Sequence, residues 1–183
     1  DFERCHRYWR WTTIEKIPVP QLPLAAEGGR IHLELERWIR GQSASVAGAA
    51  AKASAHYPLP GQPGVELERW IRASWAGGQL RGKIDLLAAP VEGQKWGTLI
   101  RPPKKGLARI LDLKTTGDLR WAKSAEEVDQ ERQLLAYALS WSREIGYQGD
   151  LIEVGQVCVE RDPPHAAQSV VRVVSLERAA RRE

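Results

Sequence analysis

Two short apolar segments each carry an acid. Gly82-Lys83-Ile84-Asp85-Leu86-Leu87 sets Asp85 between aliphatic neighbours, and Ile110-Leu111-Asp112-Leu113-Lys114 does the same for Asp112. Side chains on a strand repeat every two residues, so Asp112 and Lys114 share one face. A carboxylate embedded in an apolar strand is costly unless a cation or a proton accompanies it. Two acids with a lysine one pleat away make a charge-compensated site, and phosphodiester hydrolysis needs this set. Carboxylates hold Mg²⁺ in an oxygen shell. The metal polarises the phosphate and lowers the pKa of a water. Lys114 would orient or deprotonate that water, or offset charge in the transition state. Either acid taken alone reads better as a strand-end residue in a turn.

The elements that must position these residues follow from periodicity. Residues 1–17, with Tyr8, Trp9 and Trp11, read as a helix with an aromatic face. Pro18, Pro20 and Pro23 then read as an extended linker. After Gly28-Gly29, Ile31, Leu35, Trp38 and Ile39 mark one face of a helix, and the alanine-rich 47–55 is helix-prone. Residues 65–72 alternate as a strand, though not cleanly. Gly77-Gly78 gives a turn, Leu80 to Ala88 a second strand, and Arg109 to Lys114 a third. Ser124 with Glu127 forms a capping box opening one long helix that stops at Gly146. Two last strands are expected around 151–160 and 169–175. The heptapeptide Glu-Leu-Glu-Arg-Trp-Ile-Arg occurs at 34–40 and at 66–72. Its flanks predict a helix for the first copy and a strand for the second. The whole reads as a single α/β domain with a mixed sheet.

A chain of 183 residues suits one domain. At 43% hydrophobic and 27% charged it has the composition of a soluble globular protein. No apolar run reaches membrane-spanning length, and no signal segment opens the chain. The net charge of +4 favours polyanionic partners. Cys5 and Cys158 are too few for a disulfide scaffold, which points to a reducing, cytoplasmic compartment. The chain contains no methionine, as expected of a processed segment or one excised from a longer protein.

The ordered motifs resemble the PD-(D/E)xK nuclease superfamily, in its RecB-like and CRISPR-associated exonuclease branch. Phe2-Glu3-Arg4-Cys5 with Tyr8-Trp9 is similar to that branch's N-terminal helix. Gly29 through Glu36 resembles its Gly-x-x-His-x-x-x-Glu element, Gly82 to Asp85 its Gly-x-x-Asp strand, and Asp112-Leu113-Lys114-Thr115 its Asp-x-Lys-Thr strand. Gln133 to Tyr137 is similar to its Gln-x-x-x-Tyr helix. Positions i and i+4 share a helix face, so Gln133 and Tyr137 can point together. The chain departs from the pattern with Ile84 in place of Pro and Asp112 in place of Glu.

The resemblance implies a restriction-endonuclease-like fold over 1–183, a mixed central sheet flanked by helices, and a DNA nuclease of exonuclease-like habit. The alternative is an inactive DNA-binding module on the same fold. It implies Mg²⁺ or Mn²⁺ held by His32, Asp85, Asp112 and the backbone carbonyl of Leu113, with Lys114 acting on the water. Gln133 and Tyr137 would bind or position DNA. Glu36 reads either as a site residue or as a solvated helix charge. Arg101, Lys104 and Lys105 form a basic loop expected to meet phosphates, and Trp121 could stack on a base. No iron–sulfur cluster is expected, since one needs about four ligands. The expected partners are DNA and, through fusion or a complex, a helicase or other DNA-processing protein. No membrane is expected.

Overall fold

The computed structural model describes residues 23–75 and 78–181, with the side chains of 73–80 outside that description. The expected helix over 1–17 also lies outside it. The first described helix, α1 (Pro23–Ile39), starts at a proline, whose fixed φ suits the first helical position. Gly28-Gly29 therefore lie inside the helix and do not precede it, contrary to the sequence reading. Ile31, Leu35 and Ile39 are buried along one face, as the periodicity predicts. The short α2 (Gly48–Ser54) buries Ala49, Ala50 and Ala53.

The strands are β1 (Val65–Trp75), β2 (Gly78–Ala88), β3 (Arg109–Thr116), β4 (Leu151–Glu160) and β5 (Ala167–Ser175). They form one five-stranded mixed sheet in the order β1-β2-β3-β4-β5. Only the β3–β4 pair is parallel. A parallel pair needs a crossover, and helices supply it. The expected single helix from Ser124 is instead two. Ser124 and Glu127 cap α3 (Ala125–Asp129) as predicted. The chain then leaves helical geometry at Gln130, and Glu131 caps α4 (Arg132–Ile145). The break lets α3 pack on β4 and β5 while α4 packs on β1, β3 and β4. Gly146 ends α4 in the left-handed conformation. A last helix, α5 (Leu176–Ala180), follows β5. The repeated heptapeptide is helical through Ile39 in its first copy and extended in β1 in its second.

Two cores lie on opposite faces of the sheet. One gathers Ile110, Ile152 and Val154 with Leu134 and Tyr137 of α4. The other gathers Leu111, Leu113 and Val157 with Ile31 and Leu35 of α1 and Ala53 of α2. Alternation assigns these faces regularly along β3 and β4. It fails in the β1–β2 hairpin. Leu86 faces the α1 core, yet Ile84, two residues earlier, is buried in the α4 core. Across the hairpin, Leu67 packs on the α1 core and Ile71 is buried in the α4 core. The reversal falls at Glu68, a non-glycine residue with φ +57°, a conformation that costs backbone energy. The imperfect alternation of 65–72 in the sequence has this cause. Among the described residues no helix is long and apolar enough to cross a membrane.

Candidate metal centre

The β2–β3 ladder is short. It pairs Leu86–Ala88 with Arg109–Leu111 and ends there. The next residues in register would be Asp85 and Asp112. In place of a backbone partner, the Leu113 amide donates to Asp85 Oδ2 at 2.8 Å. β3 meanwhile stays paired to β4 through Thr116. The strands thus part at the two acids, and a cleft of about 630 Å³ opens there. Its walls include Gly28, His32 and Glu36 of α1, Glu68 and Asp85 of the hairpin, Asp112 and Lys114 of β3, and Gln133 of α4.

Two glycines set the helices against this opening. A Cβ on Gly28 would stand 2.7 Å from Thr115 Oγ1, so only glycine lets α1 lie this close to the end of β3. A Cβ on Gly82 would stand 2.6 Å from the Tyr137 ring. Tyr137 is buried over that glycine and accepts a hydrogen bond from Gln133 Nε2 at 2.8 Å. Tyr137 therefore steadies Gln133, and it is Gln133 that reaches the cleft.

His32 stands in the middle of α1, because the helix begins at Pro23 and not after Gly28-Gly29. Its Nδ1 is 3.8 Å from Asp85 Oδ2. Lys114 Nζ is 2.9 Å from Asp112 Oδ2, and Gln156 Nε2 donates to the same oxygen at 3.3 Å. Burial, and then the charge of Asp112, push the Asp85 carboxyl up to about 6, while His32 and the Leu113 amide pull it the other way. Burial lowers the Lys114 ammonium, but the carboxylate of Asp112 outweighs it and the net shift is upward. Lys114 thus keeps its proton near neutral pH.

One member of the cluster was not anticipated. Ligand atoms of His32, Glu68 and Asp85 lie within 4.8 Å of one another. The pairs Leu67–Leu86 and Arg69–Ile84 place Glu68 opposite Asp85. Counting back from Asp85 across a two-residue Gly77-Gly78 turn lands on Trp70, so only the observed register, in which Trp75 pairs with Gly78, shows that Glu68 faces Asp85. An imidazole and two carboxylates, one of them buried and unfavourably charged, suit a divalent cation. Asp112 lines the same cleft but is outside this trio, with its carboxylate engaged by Lys114 and Gln156. Leu113 lines the cleft, with its amide committed to Asp85. Lys104 and Lys105 line a separate recess with Pro90 to Gln94, which shares no residue with the cleft. Arg101 pairs with the buried Glu153 at 3.5 Å. Trp121 is 82% exposed.

No family model matches the chain, and no curated protein is similar to it in sequence. Solved structures that are similar in fold include the following two. One is SSO0001, with a TM-score of 0.51 at 14% identity over 96% of this chain and 66% of that one. The other is a candidate exonuclease from Eubacterium rectale, with a TM-score of 0.50 at 9% identity over 96% and 68%. The likeness is one of fold. The chain spans about two thirds of the length of each.

Proposed function

We propose that the chain is a metal-dependent DNA nuclease of the PD-(D/E)xK superfamily, in its RecB-like branch. The observation that carries the reading is the meeting, in one cleft, of His32, Asp85, Asp112, Lys114 and Gln133 from four separate elements. These are the residues the motif order singles out, and nothing in a packing role requires them together.

His32, Asp85 and Asp112 would hold Mg²⁺ or Mn²⁺. When bound, that ion supplies charge for a phosphate oxygen and acidity for a water. The other roles fall to the chain itself. Lys114 holds its proton and donates hydrogen bonds, so it orients the water or a phosphate oxygen and offsets negative charge as the phosphorus is attacked. The carboxylates of Asp85 and Asp112 accept from that water and aim it. Gln133, held by Tyr137, offers its amide to the DNA backbone at the cleft wall. The positive net charge favours approach of the polyanion.

The deciding experiment incubates the protein with linear and circular DNA in Mg²⁺ or Mn²⁺. Cleavage that stops with EDTA and with Asp112→Asn supports the reading, and loss of linear DNA alone marks exonuclease habit. DNA binding with no cleavage under any metal would point to an inactive module on the same fold. No binding at low salt would end the DNA reading altogether.

A further inference from the structure

Behind the cleft lies a cavity of about 20 Å³, lined by His32, Glu68, Asp85 and Tyr57 with the apolar side chains of Leu35 and Leu67 among others. That volume suits a single water or ion. Tyr57 is only 2% exposed, and its hydroxyl has no hydrogen-bond partner among the described residues. A buried hydroxyl is ordinarily paired. A phenylalanine would fill the same place in the α1 core without stranding a polar atom, so the hydroxyl has no use in packing. Tyr57 shares the lining of this cavity with the three potential ligands.

Glu68 is equally hard to explain as structure. Its positive φ interrupts the hairpin ladder and places its carboxylate beside Asp85, where like charges repel. Lys83 forms an ion pair with it. Lys83 is itself about two-fifths exposed and lines the cleft, so it can yield Glu68 to a stronger cation.

We propose that Glu68 is a metal ligand and that the Tyr57 hydroxyl hydrogen-bonds a water in that metal's shell. With His32 and Asp85 they complete a cation site of mixed nitrogen and oxygen donors. Imidazole binds Mn²⁺ more readily than Mg²⁺, so the site prefers Mn²⁺. The proposal rests on the reading of the cleft as a metal centre, and it adds two residues to the set that the motifs name.

The test is calorimetric titration with MnCl₂ alone, without DNA, paired with the thermal shift that Mn²⁺ produces. The proteins are wild type, Glu68→Gln and Tyr57→Phe. Glu68→Gln, nearly isosteric, should bind Mn²⁺ at least tenfold more weakly. Tyr57→Phe should be as stable as wild type or more so without metal, because it deletes an unpaired hydroxyl. It should nonetheless lose roughly tenfold in Mn²⁺ affinity, as outer-shell partners commonly do, and gain less from Mn²⁺ in the melt. If Glu68→Gln does not fold, Tyr57→Phe decides alone. Wild-type Mn²⁺ affinity in both variants overturns this proposal and leaves the nuclease reading standing on Asp112, Lys114 and cleavage. A wild-type protein that binds no Mn²⁺ at millimolar concentration overturns both.

Discussion

Asp85→Asn should make the metal-free protein more stable at pH 8 while removing its use for metal. In the fold the Asp85 carboxyl is raised from 3.8 to about 6, first by burial and then by Asp112. A raised carboxyl binds its proton more tightly when folded. The penalty is therefore absent below about pH 4, grows as pH rises, and is complete above about pH 6. Ionising Asp85 at pH 8 then costs the fold up to about 3 kcal/mol relative to the unfolded chain. The side chain is only 19% exposed, so solvent screening removes little of this. Asparagine keeps an acceptor for the Leu113 amide and carries no charge. The expected gain is between about 1 and 3 kcal/mol at pH 8, or roughly 3–10 °C in Tm for a domain of this size, shrinking to nothing near pH 4. Urea or thermal melts at pH 4 and pH 8 in EDTA measure it. Millimolar Mn²⁺ should raise the wild-type Tm and leave the variant unmoved. A variant less stable than wild type at pH 8, or a gain independent of pH, would refute the electrostatic reasoning.

Other perturbations probe other parts. Lys114→Ala should abolish DNA cleavage while folding and metal binding stay nearly intact, since the ammonium is not a ligand; activity within tenfold of wild type would sink its assignment. Glu153 and Arg109 form a wholly buried ion pair, with Nε to Oε2 at 2.8 Å. Glu153→Ala should cost about 3–5 kcal/mol by stranding the guanidinium, and a loss under 1 kcal/mol in urea melts would show the pair to be dispensable. Gly29→Ala, which meets nothing within 4 Å, should stabilise α1 by about 0.5–1 kcal/mol. Gly28→Ala should destabilise by about 1–3 kcal/mol through the clash with Thr115, and Thr115→Ala should relieve much of that in the double variant; identical effects at the two glycines would remove the close-approach argument. Neutralising Arg101, Lys104 and Lys105 together should flatten the salt dependence of DNA affinity, and an unchanged slope would leave these three residues with no part in binding.

How legible the site was depended on what each residue contrasts with. Asp85, Asp112 and Lys114 stand out because charge interrupts an apolar strand, and that contrast survives without structure. Glu68 has no such contrast. In Glu-Leu-Glu-Arg it reads as the solvated half of an alternating strand, and only the hairpin register shows what it faces. Tyr57 is still less legible, since a buried tyrosine and a buried phenylalanine leave the same pattern; what distinguishes it is an unpaired hydroxyl. The start of α3 was readable from Ser124 and Glu127, but its end was not. Gln130 and Glu131 are acceptable helix residues, and they leave the helix because α3 must reach β5 while α4 must reach β1 and β3. The start of α1 was misread because Gly28-Gly29 looks like punctuation, whereas Gly28 is there for contact with Thr115.

The centre sits where regular pairing gives out, and the same few bonds account for both. Beyond Leu86 and Leu111 a continued ladder would bring β2 and β3 together and close the cleft. The strands part there, yet the Leu113 amide, buried and needing an acceptor, is not orphaned, because Asp85 Oδ2 takes it. One carboxylate oxygen thus replaces a backbone partner. β3 can leave β2 without fraying because its other edge remains paired to β4 as far as Thr116. On the hairpin side, the positive φ of Glu68 reverses the sheet face at the same level and puts a second carboxylate opposite the first. Three strand carboxylates, those of Glu68, Asp85 and Asp112, then line one cleft together with Glu36 of α1. Lys83 and Lys114 engage the outer two by ion pairs. Asp85, between them, has the Leu113 amide and a histidine at 3.8 Å; burial, and then the charge of Asp112, outweigh both and push its carboxyl up, so a divalent cation would stabilise the fold most at that residue.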